Sequence, residues 1–132
     1  MRVAIAAKTP ARLMAITDGT AGSGLPAGSR TRLGGQAITV AEVARLDDGT
    51  MAGSVLTMDR AFASLVTQCG LDLVQASQMC STTPAREMRM HGTGVLAPGA
   101  VADFVVLDAQ LAVVETWVGG NQVFKRGATL AD

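Results

Sequence analysis

The sequence predicts an α/β fold, and three observations support that class. Residues 13–17 are a short apolar run that leads directly into Asp18 and a glycine-rich loop, as at the end of a buried strand. Apolar residues recur at helical spacing between Thr57 and Cys80. From Gly94 onward, short apolar runs alternate with Pro-Gly and Gly-Gly turns, which indicates strands.

Composition and charge exclude some functions. The 132 residues carry 11 basic and 11 acidic side chains, with no cluster of either sign. We therefore expect neither a nucleic-acid groove nor contact with an anionic membrane surface. Charged residues make up only 17% of the chain, against roughly 25% in an average domain. A short chain this apolar is expected to leave surface for a partner to cover.

The amino-terminal half is predicted to alternate loops and strands. Met1 to Ala7 has the character of a helix, and residues 13–17 that of a strand. Residues 18–32 are expected to form a loop. Residues 36–46 are β-like, and Asp48-Gly49 is a candidate for a type I′ turn.

The carboxyl-terminal half is predicted to be helical first and then β. Thr57 is the expected N-cap of a helix that reaches Cys69. Asp72 with Gln75 resembles the capping box of a second helix, and a third begins near residue 83. Pro98-Gly99 is a predicted turn, residues 104–107 a buried strand, and residues 112–118 and 122–125 a hairpin.

Few residues are candidates for metal binding or covalent chemistry. Cys69 and Cys80 lack Cys-x-x-Cys spacing, so we expect free, buried thiols in a reducing cytoplasm. His91, the single histidine, is expected on a surface turn. Because a metal site needs several converging ligands, the sequence encodes no complete one.

Asp18 is the strongest candidate for chemistry. It follows the predicted strand, and the carboxyl ends of strands in parallel α/β sheets face the ligand crevice. The alternative is that Asp18 accepts backbone N–H groups and only caps the loop. A phosphate-binding role for this loop is disfavoured, because no Gly-x-Gly-x-x-Gly or Walker pattern is present.

The motifs resemble those of one family of sugar-processing enzymes. Residues 16–22 (Ile-Thr-Asp-Gly-Thr-Ala-Gly) look like the eighth strand and following loop of N-acetylglucosamine-6-phosphate deacetylases, in the amidohydrolase superfamily. Residues 52–58 (Ala-Gly-Ser-Val-Leu-Thr-Met) match a segment particular to these deacetylases. Residues 94–103 (Gly-Val-Leu-Ala-Pro-Gly-Ala-Val-Ala-Asp) match a motif common to the superfamily.

The resemblance implies an architecture. The chain would be a carboxyl-terminal fragment of a (β/α)8 amidohydrolase barrel, with the last strand and helices plus part of a small β-sandwich. A closed barrel needs roughly 250 residues, so most of it would lie outside this chain. Residues 1–35 would hold the last barrel strand and active-site loop, and 36–56 a hairpin and substrate-lining loop. Residues 57–91 would supply barrel helices, and 92–132 the sandwich tail.

The resemblance also implies an activity, the hydrolysis of N-acetylglucosamine 6-phosphate to glucosamine 6-phosphate and acetate by metal-activated water. Asp18 would be the catalytic proton carrier and a possible contributor to the zinc or iron site. Ala52, Gly53 and Ser54 would line the substrate pocket, with simple loop packing as the alternative. The other metal ligands and the phosphate-binding residues would lie in the absent region. This chain alone would bind no metal and be inactive.

Two other functions stay open on the sequence. One is a different amidohydrolase, such as a cyclic-amide hydrolase. The other is a structural or interaction module without catalysis. We expect a cytoplasmic protein whose exposed edge is covered by a second copy or by the amino-terminal part of a barrel.

Overall fold

The computed structural model describes residues 1–128 and separates into two compact units. The first unit contains Met1–Ala15 and the described chain from Phe62 onward, and the second contains Ile16–Ala61. Helices and strands are numbered in chain order. The helices are α1 (Arg2–Lys8), α2 (Met58–Thr67), α3 (Leu73–Ser77) and α4 (Thr83–Glu87). The strands are β1 (Arg30–Leu33), β2 (Gln36–Val40), β3 (Ala44–Arg45), β4 (Met51–Gly53), β5 (Phe104–Leu107), β6 (Val113–Val118) and β7 (Asn121–Lys125).

The second unit is built on an antiparallel sheet with strand order β1-β2-β3-β4. Ile38 and Val40 face inward as the alternating pattern of β2 predicts. Together with Ala44 and Val55 they form the buried core of this unit. The prediction of β structure after residue 36 is confirmed, and a bend over residues 41–43 separates β2 from β3.

The turn between β3 and β4 differs from its prediction. The Gly49 N–H donates to the Leu46 carbonyl over 2.9 Å, and only Gly49 has positive φ, at 85°. A type I′ turn requires positive φ at both central residues, so that prediction is wrong. The Asp48 carboxylate accepts the Thr50 N–H at 2.9 Å, which stabilises a local turn in which Asp48 does not have positive φ.

Two further segments depart from expectation. Residues 30–32 were expected in a loop, yet with Leu33 they form β1 and pair with β2, because the Gly34-Gly35 turn (Gly34 φ 57°) brings the two segments together. Residues 13–17 belong to no strand. Leu13 has extended backbone angles, but a strand requires a neighbour to pair with, and the chain supplies none to this segment among its described residues.

The predicted helices after residue 57 are present, with α2 beginning in the second unit and α3 and α4 lying in the first. The Asp72–Gln75 capping box is present with both of its hydrogen bonds, and α2 ends before Gly70, whose φ is 76°. Helices α3 and α4 form one helical run, joined by a π turn over Gln78–Thr82. This wide turn, in which the Thr83 N–H reaches back to Gln78, accommodates Pro84, which has no N–H to donate.

The carboxyl-terminal strands form a second antiparallel sheet, of order β5-β6-β7. Positive φ at both Gly119 and Gly120 fits the predicted hairpin, and Gly99 closes the predicted Pro98-Gly99 turn. The prediction that residues 104–107 are buried is wrong, because Val105 is 54% exposed. Burial requires a second layer, and no second layer covers this residue in the described chain.

The described part of the chain has no helix that combines the length and apolar character needed to cross a membrane.

Candidate active-site loop

Asp18 occupies a strained backbone position at the start of the glycine-rich loop. Its φ is 50°, in the left-handed region that few residues other than glycine adopt. Aspartate tolerates this region because its short polar side chain can bond locally. The side chain is exposed, and strained exposed positions are frequent in functional sites.

The loop after Asp18 is joined to the end of β4. Gly19 and Ser54 form an isolated parallel bridge. The backbone N–H of Thr20 and its Oγ1 hydroxyl both donate to the Ser54 carbonyl, each over 2.9 Å. Thr20 Oγ1 also accepts the Gly22 N–H at 3.3 Å. One threonine therefore attaches the Asp18 loop to the segment predicted to contact substrate.

The fit between these two segments requires glycine at residue 53. Gly53 has φ of 153°, and a Cβ atom there would lie 2.6 Å from Thr20 Cγ2. Contacts below 3.0 Å between carbon atoms are strongly repulsive. The methyl group of Thr20 thus occupies the space that a side chain at position 53 would take. The two segments approach each other as closely as their atoms allow.

The loop also packs against the sheet of the second unit. Gly22 is buried, and a Cβ atom there would lie 2.8 Å from Val40 Cγ2. At Gly19, a Cβ atom would lie 2.5 Å from Ser23 Oγ, a buried hydroxyl oxygen that has no hydrogen-bond partner within residues 1–128. Three glycines of this unit are therefore close-approach positions. At each of them a side chain would collide with a neighbouring residue of the same unit.

The sequence-predicted site residues lie in one unit. Asp18 begins the loop, Ala52 and Gly53 lie in β4, and Ser54 follows directly. Ala52 packs against the apolar core, which fits the packing role left open on the sequence. The Ser54 hydroxyl accepts the Leu56 N–H at 3.0 Å.

Sequence reasoning missed Thr20, although it recognised the motif that contains it. The available signal was a hydroxyl residue two positions after the carboxylate, within a run of glycines. Its role depends on Ser54, a partner 34 residues away along the chain. Only the folded arrangement shows that partnership.

The described residues do not form a metal site on their own. No three His, Cys, Asp or Glu side chains of residues 1–128 group closely enough to hold an ion. His91 lies on an exposed turn, as predicted. Cys69 and Cys80 are free and half-buried, and burial raises the pKa of the Cys80 thiol, which disfavours the nucleophilic thiolate.

Comparison with known proteins identifies the class. The model of the Amidohydrolase family matches residues 5–128, nearly the whole chain. The chain therefore belongs to the Amidohydrolase family.

Within that family the chain is similar to amino-sugar phosphate deacetylases. An N-acetylglucosamine-6-phosphate deacetylase of Danio rerio is 37% identical over 120 residues, which are 89% of this chain and 30% of the relative. A putative N-acetylgalactosamine-6-phosphate deacetylase of Escherichia coli K12 is 36% identical over 111 residues, or 83% of this chain and 66% of the relative. The chain thus spans only part of the length of these relatives.

A solved structure agrees with this assignment. It is an aspartate-to-alanine mutant of N-acetyl-D-glucosamine-6-phosphate deacetylase from Mycobacterium smegmatis, in complex with N-acetyl-D-glucosamine-6-phosphate. The match has a TM-score of 0.81 and 39% identity, and covers 92% of this chain and 33% of the other. The mixed α/β structure described above therefore matches about a third of a solved deacetylase structure.

Proposed function

We propose that this chain supplies the catalytic aspartate loop of an enzyme that hydrolyses N-acetylglucosamine 6-phosphate to glucosamine 6-phosphate and acetate. The observation that carries the proposal is the junction between Asp18 and Ser54. It joins the predicted catalytic carboxylate to the predicted substrate segment through Gly19 and Thr20. The names of the similar deacetylases support the same chemistry.

Asp18 is assigned the two proton transfers of the reaction. As general base it accepts a proton from the water that attacks the acetyl carbonyl carbon. As general acid it then gives that proton to the nitrogen of the leaving amine. An exposed carboxylate on a fixed backbone can reach both atoms in turn, whereas a carboxylate that only capped the loop would have its oxygens engaged by N–H groups. Within residues 1–128, the Asp18 carboxylate accepts no hydrogen bond.

The substrate segment is assigned a supporting role. Gly53 and Ser54 would border the space beside Asp18, where a glycine leaves room for a sugar ring. Ala52, which packs inward, would fix the strand that carries them. Removing the methyl group of Ala52 would then loosen the pocket rather than remove a contact with the sugar.

The rest of the architecture remains part of the proposal. Residues 1–35, 36–56, 57–91 and 92–132 would serve as barrel strand and loop, hairpin, barrel helices and sandwich tail. The resemblance implies zinc or iron, but the described residues do not fit a complete metal site, so Asp18 alone is assigned chemistry. Association with a second copy or with a barrel portion, and a cytoplasmic location, belong to the same proposal.

The other hexosamine is a second candidate substrate. The Escherichia coli relative is named for N-acetylgalactosamine 6-phosphate, and its identity of 36% lies next to the 37% of the N-acetylglucosamine relative. The two sugars differ only in the orientation of one hydroxyl group. Assays on both sugar phosphates would separate these candidates.

The test is a chimera with the Mycobacterium smegmatis deacetylase, of which the chain covers 33%. Residues 5–128 replace the corresponding segment of that enzyme, and acetate release is measured with both sugar phosphates. We expect activity, and a loss of about 100-fold or more in kcat when Asp18→Asn removes the proton carrier. Substrate binding should persist in this variant.

Two results would count against the proposal. An Asp18→Asn chimera as active as its parent would remove the role of the carboxylate. A folded chimera that binds the sugar phosphates without hydrolysing either would favour a non-catalytic module. Should the large exchange prevent folding, grafting residues 16–24 alone into the same enzyme makes the comparison with a smaller perturbation.

A further inference from the structure

The chain contains two Asp-Gly pairs with the same following residue, Asp18-Gly19-Thr20 and Asp48-Gly49-Thr50. In an Asp-Gly pair the glycine nitrogen can approach the carboxyl carbon of the aspartate, because no Cβ atom obstructs it. The identical Asp-Gly-Thr sequence makes the intrinsic reactivity of the two pairs closely matched. Any difference between them in the folded chain must come from their surroundings.

The surroundings of Asp48 oppose this approach. The Gly49 N–H is engaged with the Leu46 carbonyl at 2.9 Å, and the Asp48 carboxylate accepts the Thr50 N–H at 2.9 Å. Both reacting groups must therefore break a well-formed hydrogen bond before they can meet. The Thr50 N–H also lowers the pKa of the Asp48 carboxyl. A lower pKa favours the ionised carboxylate over the protonated carboxyl group. The ionised form reacts less readily, because it has no hydroxyl group to leave as water.

The surroundings of Asp18 constrain the reacting groups far less. The Gly19 N–H has a single long bond, 3.3 Å to Thr17 Oγ1, at the weak end of the range for such bonds. Both pairs are exposed, so the difference between them lies in their hydrogen bonds and backbone conformation. The left-handed backbone at Asp18, with φ of 50°, adds strain that a change of connectivity would release.

We propose that Asp18-Gly19 is a site of spontaneous conversion to isoaspartate, and that the fold directs this modification to Asp18 rather than to Asp48. The Gly19 nitrogen attacks Cγ of the Asp18 carboxyl, and a bond between that nitrogen and Cγ forms. The carboxyl hydroxyl leaves with the amide proton as water, giving a five-membered imide. Water then adds to the backbone carbonyl carbon of Asp18, the bond from that carbon to Gly19 breaks, and the nitrogen regains a proton.

The product has the mass of the starting chain but a different connectivity. The main chain now runs through Cγ of residue 18, one atom longer than before, and the free carboxyl group is attached directly to Cα. The extra atom displaces Gly19 from its bridge with Ser54. If the proposed function is correct, conversion also removes the proton carrier, whereas the modification itself does not depend on that function.

The experiment compares the two sites within one molecule. The 132-residue chain is incubated at neutral pH, both folded and in concentrated urea. Isoaspartate at each position is measured by peptide mapping with electron-transfer fragmentation. We expect nearly equal conversion rates at the two sites in urea. In the folded chain we expect conversion at Asp48 to be about tenfold slower than at Asp18, because the additional hydrogen bonds of Asp48 and Gly49 must break first.

The control is Asp18→Glu, in which the corresponding ring would have six members and form far more slowly. It should abolish the signal at position 18 and leave the signal at Asp48 unchanged. Equal rates at the two sites in both conditions, or faster conversion at Asp48 in the folded chain, would overturn the proposal. Neither readout involves deacetylase activity, so the result is independent of the function proposed above.

Discussion

The two antiparallel sheets of this molecule differ in burial. In the sheet of the second unit, Ile38 and Ala44 are completely buried. In the carboxyl-terminal sheet β5-β7, no residue is fully buried, and Val123 and Phe124 are about half exposed. The comparison teaches that apolar alternation specifies a strand, whereas burial depends on a covering layer.

The source of that layer distinguishes the two sheets. In the second unit the preceding loop covers its own sheet, with Gly22 against Val40 and Val55. The β5-β7 sheet is stabilised instead by contacts along its surface. Phe104 stacks on Trp117 with ring centroids 5.5 Å apart, and Arg126 donates to Asp108 at 2.7 Å. Such a sheet has few buried apolar contacts that a substitution could remove.

The largest effect on stability is expected in the second unit, where the loop covers the sheet. Ile38→Ala should lower the free energy of unfolding of the second unit by about 2–5 kcal/mol, because it opens a cavity in a closed core. Val105→Ala, a matched truncation on β5, should cost below about 1 kcal/mol. Native-state hydrogen exchange measures each sheet separately. Equal losses at the two positions would contradict the comparison.

An intermediate effect is expected at the junction of loop and sheet. Gly53→Ala should destabilise the second unit by about 1–3 kcal/mol, since the new methyl group meets Thr20 Cγ2. Adding Thr20→Ser removes that carbon and keeps the hydroxyl, so the double variant should regain part of the loss. Thermal unfolding of the single and double variants measures this coupling.

The control for that pair is Gly24→Ala. Gly24 also has positive φ, at 82°, but its Cβ position is open, so only backbone strain of about 1 kcal/mol applies. Thr20→Ser should not rescue this variant. Rescue of Gly24→Ala, or no rescue of Gly53→Ala, would show that steric contact with Thr20 is not the cause.

The smallest effect concerns the carboxyl-terminal sheet and pH. The Arg126 guanidinium and then the Ala112 N–H lower the pKa of the Asp108 carboxyl below its usual 3.8. A lowered pKa stabilises the folded state above the unfolded value and loses that contribution as the pH falls through the folded value. Asp108→Asn should remove this acid sensitivity, as followed by hydrogen exchange in β6. An unchanged pH profile would exclude the Asp108–Arg126 pair as its source.

Local features of the fold were predictable because their causes are local. The capping box of Asp72 and Gln75 needs only residues three apart, and the turn at Gly119-Gly120 needs only glycine at both central positions. The predicted type of the Asp48-Gly49 turn was wrong, because the hydrogen bond from the Thr50 N–H to the Asp48 carboxylate fixes the backbone. This hydrogen bond competes with the preference of the Asp-Gly dipeptide for a type I′ turn.

Features that depend on distant partners were less predictable. The polar strand Arg30–Leu33 was missed because its pairing with β2 depends on a turn, with no apolar signal of its own. The motif around Asp18 was recognised by resemblance, yet its attachment to Ser54 through Thr20 was not predicted. The values of φ at Asp18 and Gly53 are results of packing, and no local pattern predicts them.

The bond from Thr20 to Ser54, which spans 34 residues, bears on the order in which the second unit folds. The hairpins within the sheet close short loops, whereas this junction closes a long one at a greater entropic cost. We expect the hairpins to form early and the Asp18 loop to dock last. The junction would then be among the first parts to open when the native state fluctuates, so proteolytic nicking should begin in residues 18–28 while β2 is still intact.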